Sequence, residues 1–298
     1  MQGLIIENIS NQYMIEVNKD KEISIYKAVA RGKFKLDDIS PVVGDFVEIE
    51  ILDEEKKEAV INQINERNVY IKRPKLANIT QIVFVVSSIE PKPDLLMLDK
   101  QLAFAEYLGI KSVIILNKTD LDKNQDFKKI KAQYEKIGYT VIETNAREKN
   151  TVELLKKQLK DNINAFSGNS GVGKSTLINS IFSETITQEG EISKKNKRGK
   201  NTTTSTKLYK IDDNTYIADT PGFSTFSIEE IKSNELAKFY KEFKKEIQNC
   251  EFVGCTHIKE ENCGIKNAVS DKKVENERYE RFCKVYEDLK NGEERKKW

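Results

Sequence analysis

The run Asn164-Ala165-Phe166-Ser167-Gly168-Asn169-Ser170-Gly171-Val172-Gly173-Lys174-Ser175-Thr176-Leu177-Ile178 decides the fold. It reads as a strand, a glycine-rich turn of the form G-x-x-x-x-G-K-S, and an apolar helix continued by Ile181 and Phe182. Glycines let the backbone curl so that successive N–H groups face a phosphate, at the positive end of the following helix. In such a loop Lys174 would reach the β- and γ-phosphates, and the Ser175 hydroxyl would take a magnesium ion. Gly168, Asn169, Ser170, Gly171, Val172, Gly173, Lys174, Ser175 and Thr176 are therefore the candidate phosphate-binding residues.

Upstream, Asn117-Lys118-Thr119-Asp120 closes the apolar run Ser112-Val113-Ile114-Ile115-Leu116 and has the form N-K-x-D. An ionised aspartate only accepts hydrogen bonds, and guanine N1–H and N2–H2 form a donor pair that Asp120 can take together. Adenine offers no such pair. Asn117 would reach N7 and brace the loop, while the Lys118 stem would cover the base. Asn145-Ala146, at the end of the next strand, can offer the Ala146 amide to guanine O6. Downstream, Asp219-Thr220-Pro221-Gly222 has the form D-x-x-G. Asp219 would hold the magnesium shell, and the Gly222 N–H would meet the γ-phosphate. Between these motifs lies Thr202-Thr203-Thr204, one of which would complete the magnesium site and close the segment over the nucleotide. Which threonine does so is open, and an ordinary polar loop is the alternative. In most GTP-binding chains the order is phosphate loop, D-x-x-G, N-K-x-D. Here the last element comes first, which points to a circularly permuted GTPase.

Three regions follow from the patterning. Residues 1–70 alternate in short runs, such as Tyr13-Met14-Ile15-Glu16-Val17 and Phe46-Val47-Glu48-Ile49-Glu50-Ile51, separated by charged or glycine-containing turns. About five short strands suggest an OB-fold β-barrel. Residues 71–227 alternate strands and helices, as a doubly wound α/β domain does, and every motif above sits at the carboxyl end of a strand. Residues 228–298 read as a helix over about 228–247, a loop, and a charged helix over about 274–289. That loop holds Cys250, Cys255, His257 and Cys263, a Cys3His set suited to one closed, structural zinc ion. His257 is the only histidine of the chain. Buried free cysteines are the alternative, and Cys283 reads as a small core residue.

Charged residues make up 33% of the 298 residues and hydrophobic residues 38%. The longest apolar run, Ile82-Val83-Phe84-Val85-Val86, is far below the roughly 20 residues of a membrane span. The amino terminus lacks the basic start of a signal peptide, so a cytoplasmic protein with reduced cysteines is expected. Residues 1–70 hold 9 Lys+Arg against 14 Asp+Glu, a net −5, within a chain of net +2. Nucleic-acid contacts would therefore use local basic loops: Lys27, Arg31, Lys33 and Lys35, or the run Lys194-Lys195-Asn196-Lys197-Arg198-Gly199-Lys200. Each is equally readable as a solvated loop.

Together these motifs resemble the RsgA family (also called YjeQ or YloQ), circularly permuted bacterial GTPases of small ribosomal subunit assembly. The resemblance covers nearly the whole chain and includes Val43-Gly44-Asp45 and Arg67-x5-Arg73-Pro74. It implies an OB-fold, a permuted GTPase and a zinc-binding helical domain in one monomeric protein. It also implies binding to the 30S subunit and its 16S rRNA, with GTP hydrolysed to GDP under stimulation by that subunit. One position departs from the family pattern: Asn201 stands where a histidine usually precedes the Thr triplet. Phe223 follows Gly222, so the water-orienting glutamine of Ras-like enzymes is missing too. Lys174, Asn201, Thr203, Thr204 and Gly222 form the candidate hydrolytic group, with Ser175, Thr203, Thr204 and Asp219 as candidate magnesium ligands. Asparagine can hold a water but not take its proton, so slow intrinsic hydrolysis is expected. Two alternatives stay open: a GTP-dependent conformational clamp with little hydrolysis, and a P-loop kinase or ATPase, against which Asn117 and Asp120 argue.

Overall fold

The computed structural model describes residues 1–19, 22–32, 34, 39–145, 149–189, 206–219 and 228–295. In chain order the strands and helices are β1 (Gln2–Ile9), β2 (Gln12–Lys19), β3 (Glu22–Ala30), β4 (Phe46–Asp53), β5 (Glu58–Ile64), β6 (Tyr70–Lys72), β7 (Lys75–Ala77), β8 (Gln81–Ser87), α1 (Leu95–Tyr107), β9 (Lys111–Asn117), α2 (Phe127–Ile137), β10 (Thr140–Thr144), α3 (Lys149–Leu159), β11 (Ile163–Ser167), α4 (Lys174–Glu189), β12 (Lys207–Asp212), β13 (Thr215–Asp219), α5 (Gly264–Ser270) and α6 (Asn276–Arg295). They divide into two compact units.

The first unit comprises Met1–Gln81, Val152–Phe166 and Ser175–Phe223. Its barrel runs β1-β2-β3-β5-β4, and a β1–β4 pairing closes it. Alternation explains the core. Val47 and Ile49 of β4, Tyr26 and Ala28 of β3, and Ala59 and Ile61 of β5 point inward, between outward charges such as Glu48, Glu50 and Lys27. The Val43-Gly44-Asp45 turn seals one end. Asp45 is fully buried and takes Arg67 in two bonds, Nε at 2.7 Å and an Nη at 2.8 Å. Gly44 has φ +91°, and a Cβ there would meet the Ala77 carbonyl oxygen at 2.0 Å. Asp45 of the barrel and Arg67 at the domain junction, both in stretches that the resemblance includes, thus form one ion pair over a turn open only to glycine.

The barrel continues into the α/β strands of the same unit. β1 pairs antiparallel with β12 at Glu7↔Lys207, β12 is antiparallel to β13, and β13 is parallel to β11. Glu16, buried, receives Lys210 Nζ at 2.6 Å and the Tyr216 hydroxyl at 2.7 Å.

The second unit comprises Ile82–Thr151, Ser167–Lys174 and Ser224–Trp298. β9 and β10 are parallel, in a register that sets Asn117 opposite Thr144. α1 starts at Asp94, whose carboxylate accepts from the Met97 N–H at 2.9 Å. α2 ends on Gly138 in the left-handed region. Here one expectation fails. Residues 228–247 do not form one α-helix but three short 3-10 runs, Ser233–Phe239, Lys241–Phe243 and Glu246–Asn249. The buried side chains Ala237, Tyr240 and Phe243 recur every third residue, the 3-10 period. Tyr240 and Phe243 stack at 5.1 Å and both meet Phe282 of α6 edge-on. The Glu293 carboxylate accepts from the Ser233 N–H and hydroxyl at 2.6 and 2.8 Å, so a distant side chain sets where the first run begins. No helix among the described residues is long and apolar enough to cross a membrane.

Candidate nucleotide site and metal centre

Within the second unit the phosphate loop and the N-K-x-D loop are bonded to each other. Asn117 is 1% exposed. Its Nδ2 donates to the Val172 carbonyl at 2.8 Å, and its Oδ1 accepts from the Thr144 hydroxyl at 2.9 Å. The Val172 carbonyl can only accept, which fixes the end of the amide that faces it as Nδ2. Gly173 is the complementary half of this contact: a Cβ there would lie 2.3 Å from Asn117 Nδ2. Gly168 likewise lies against the Val85 carbonyl oxygen, 2.2 Å from an added Cβ. Two of the motif's glycines are thus required by close approach, not by turn formation alone.

Lys118 adopts φ +62° and anchors its ammonium on the Glu90 carbonyl at 2.7 Å. The Ser88 hydroxyl donates to the Lys118 carbonyl at 2.8 Å. Thr119 donates to the Thr144 carbonyl at 3.4 Å. Asp120 is exposed at the start of the Thr119–Leu121 turn, so its carboxylate is free of the packing that holds Asn117. The Asn145 N–H faces the Thr151 hydroxyl at 3.5 Å. Lys174 folds back onto its own loop, donating to the Gly168 carbonyl and, at 3.0 Å, to the Asn169 carbonyl. Burial pushes its pKa down from the ordinary lysine value. Asn169 Nδ2 reaches Asp94 at 3.4 Å, and Ser170 and Gly171 are exposed at the tip of the turn.

In the first unit, Ser175 and Thr176 are exposed on the first turn of α4, and Asp219 ends β13. Ala146, Asn201, the triplet Thr202-Thr203-Thr204, Thr220-Pro221-Gly222 and Phe223 lie outside the described residues, as do Lys33, Lys35 and the run 194–200.

The Cys/His cluster is gathered in space as well as in sequence. The ligand atoms of Cys250, Cys255, His257 and Cys263 all lie within 4.8 Å of one another. His257 Nδ1 is 3.5 Å from Cys250 Sγ and 3.4 Å from Cys263 Sγ. The backbone carbonyl of His257, a residue at φ +64°, accepts from the Tyr279 hydroxyl of α6 at 2.7 Å. Burial pushes the Cys255 thiol up to about 12 and raises Cys263. Burial likewise lowers His257, favouring the neutral, ligating imidazole. Three thiols and one imidazole with no oxygen donor make a set compatible with zinc. The loop is braced by Glu260, which accepts from the N–H groups of Thr256 at 2.8 Å and Ile258 at 3.1 Å. Burial opposes its charge, but these bonds hold its pKa down at about 2. Cys283 is half-buried on α6 and outside the cluster.

Comparison with known proteins agrees with this geometry. Residues 64–229 match the model of the RsgA GTPase family, and residues 2–61 match that of the RsgA N-terminal domain. A protein of Clostridium botulinum named small ribosomal subunit biogenesis GTPase RsgA is 38% identical over 298 residues, covering 100% of both chains. This chain belongs to the RsgA GTPase family. An RsgA of Alkaliphilus metalliredigens is 37% identical over 291 residues, 98% of each chain. The solved structure of YjeQ from Thermotoga maritima superposes with a TM-score of 0.83 at 32% identity, over 97% of this chain and 98% of that one. YloQ, described as a circularly permuted GTPase, gives 0.82 at 28% identity, over 97% of this chain and 95% of that one. As a member of the RsgA family the chain is a GTPase, with the barrel, GTPase and helical Cys/His regions that its sequence pattern implied.

Some residues were not singled out in the sequence. Asp94 caps α1, and the Asp122 carboxylate accepts from the N–H of Phe127, the first residue of α2; an aspartate ahead of an apolar helix is a signal that could have found Asp94. Arg278 has no such signal. It is 1% exposed and bonds Asp99 of α1 and Glu242, while Arg281 bonds the other Asp99 oxygen. Nothing in the local sequence marks partners 179 residues apart.

Proposed function

We propose that this GTPase binds the small ribosomal subunit and its 16S rRNA and acts late in subunit maturation, hydrolysing GTP to GDP at a rate the subunit raises. The observation that supports the nucleotide part is the Asn117 bridge, in which the N-K-x-D loop is bonded to the G-x-x-x-x-G-K-S loop. The ribosomal part rests on the name of the relatives that match end to end. Lys174 leaves the Gly168 and Asn169 carbonyls for the β- and γ-phosphates, and Asp120 takes guanine N1–H and N2–H2. Asn145-Ala146 lies beside the base. Ser175, Asp219 and one threonine of 202–204 supply the magnesium ligands, and the Gly222 N–H meets the γ-phosphate. When bound, magnesium neutralises the charge that develops on the phosphate oxygens. Cys250, Cys255, His257 and Cys263 hold one zinc ion in a structural role, since four protein ligands leave no position for a substrate. The working divisions are residues 1–70, 71–227 and 228–298, in a monomeric cytoplasmic protein.

Asn201 favours one second reading. If asparagine there cannot orient the attacking water, the protein is a GTP-dependent clamp that releases its partner without turnover. Single-turnover hydrolysis with and without small subunits separates the two: acceleration supports the enzyme, and bound but unhydrolysed GTP supports the clamp.

A further inference from the structure

Between two residues of the metal cluster the chain runs Glu251-Phe252-Val253-Gly254. Phe252 is 58% exposed and Val253 is fully exposed. Gly254 follows with φ +83°, and a Cβ there would meet nothing within 4 Å. Two adjacent apolar side chains therefore stand out from the second unit on a tight knuckle. Isolated exposed apolar residues are ordinary, but this pair is held in place. Cys250 and Cys255 bracket it, the Cys255 N–H returns to the Phe252 carbonyl at 3.3 Å, and the Glu251 N–H bonds the Asn262 carbonyl at 3.3 Å. A preformed apolar tip loses little freedom on binding, the condition for an anchor residue.

The charge around the tip selects the partner. Residues 245–263 carry Glu246, Glu251, Glu260 and Glu261 against Lys245 and Lys259, a net −2. Glu251 and Glu261 are exposed, and Asn262 Nδ2 bonds the Glu251 carboxylate at 2.5 Å, which places this acid beside the apolar pair. A phosphate backbone is repelled by such a rim, whereas a lysine- and arginine-rich protein surface is attracted to it. We infer that the Phe252-Val253 knuckle docks into an apolar recess on a basic protein of the particle that this GTPase binds, and does not contact its RNA. This rests on the proposed small-subunit partner.

The test uses the full-length, zinc-loaded chain with p-benzoylphenylalanine installed in place of Val253, incubated with purified small subunits and irradiated. The expected product joins the chain to a basic ribosomal protein. A product joined to 16S rRNA, or none although the chain co-sediments with the subunit, overturns the inference. Phe252→Ser with Val253→Asp is the second arm. It should keep its zinc content and unliganded GTPase rate while losing about 10-fold or more in subunit affinity; unchanged affinity also overturns it. If the unmodified chain fails to sediment with small subunits in any nucleotide state, the partner assignment falls first, and this inference with it.

Discussion

Asn117 shows how one amide can hold two loops. Replacing it with alanine leaves the Val172 carbonyl and the Thr144 hydroxyl without their partner in a buried site. Each unmet group costs about 1–3 kcal/mol. Asn117→Ala is therefore expected to lower stability by about 2 kcal/mol or more, read as a reduced urea midpoint, and to weaken GDP binding. Asp120 is exposed and bears no such load. Asp120→Asn should leave the urea midpoint unchanged while shifting preference from guanine to xanthine nucleotides, because one acceptor becomes a donor. A variant that still prefers GTP would refute the role given to Asp120. Lys174→Ala removes the cation of the phosphate loop, and fluorescent-nucleotide titration should show binding lost or GTP turnover abolished. At this scale the sequence was legible wherever a motif has a fixed spacing: the phosphate loop, N-K-x-D and the Cys/His set were all readable. The buried pair Asp45–Arg67 was visible only as two positions that fit a family pattern; its bidentate geometry was not.

Among elements, the C-terminal helix α6 is attached to α1 through charge. Arg278 lies over the rings of Tyr134 and Tyr240 at 5.3 and 4.9 Å and bonds Asp99 and Glu242. Burial disfavours the cation, but the two carboxylates more than offset this and raise its pKa well above the ordinary arginine value. Removing one member of such a group strands the rest. Arg278→Met should cost about 3–5 kcal/mol in equilibrium unfolding; a variant as stable as the parent would show the network to be incidental. The Cys/His loop is the second attachment within this unit, held to α6 by the Tyr279 hydroxyl on the His257 carbonyl. Native protein should carry one zinc per chain, and chelation should lower the melting temperature, because metal-binding energy here is folding energy. Less than about one zinc per chain in Cys263→Ser, beside a full complement in Cys283→Ser, would confine the ion to the four named ligands. The strands were legible as alternation or as continuous apolar runs. The stretch 228–247 was misread because apolar spacings of three and four are shared by α- and 3-10 helices. What decides is the tertiary stack of Tyr240, Phe243 and Phe282 and the distant Glu293 cap, neither of which is a local property.

For the whole molecule, motif order carried the most information. N-K-x-D ahead of the phosphate loop narrows the class by itself, and the end-to-end match to the RsgA family agrees with it. Contacts such as Glu16 with Tyr216, 200 residues apart, were beyond local reading because nothing near either residue encodes the other. If Asn201 holds the attacking water, as proposed, it cannot take its proton, so the rate should depend on a partner that orders that water. The most direct test is phosphate release from GTP by the full chain, with and without purified small ribosomal subunits. The account predicts slow, guanine-specific turnover alone and a rise of at least about an order of magnitude with the subunit, a modest demand beside the roughly 10³–10⁵ that an arginine finger supplies in other GTPases. Turnover of several per second by the free chain, or a rate indifferent to the subunit, would contradict it.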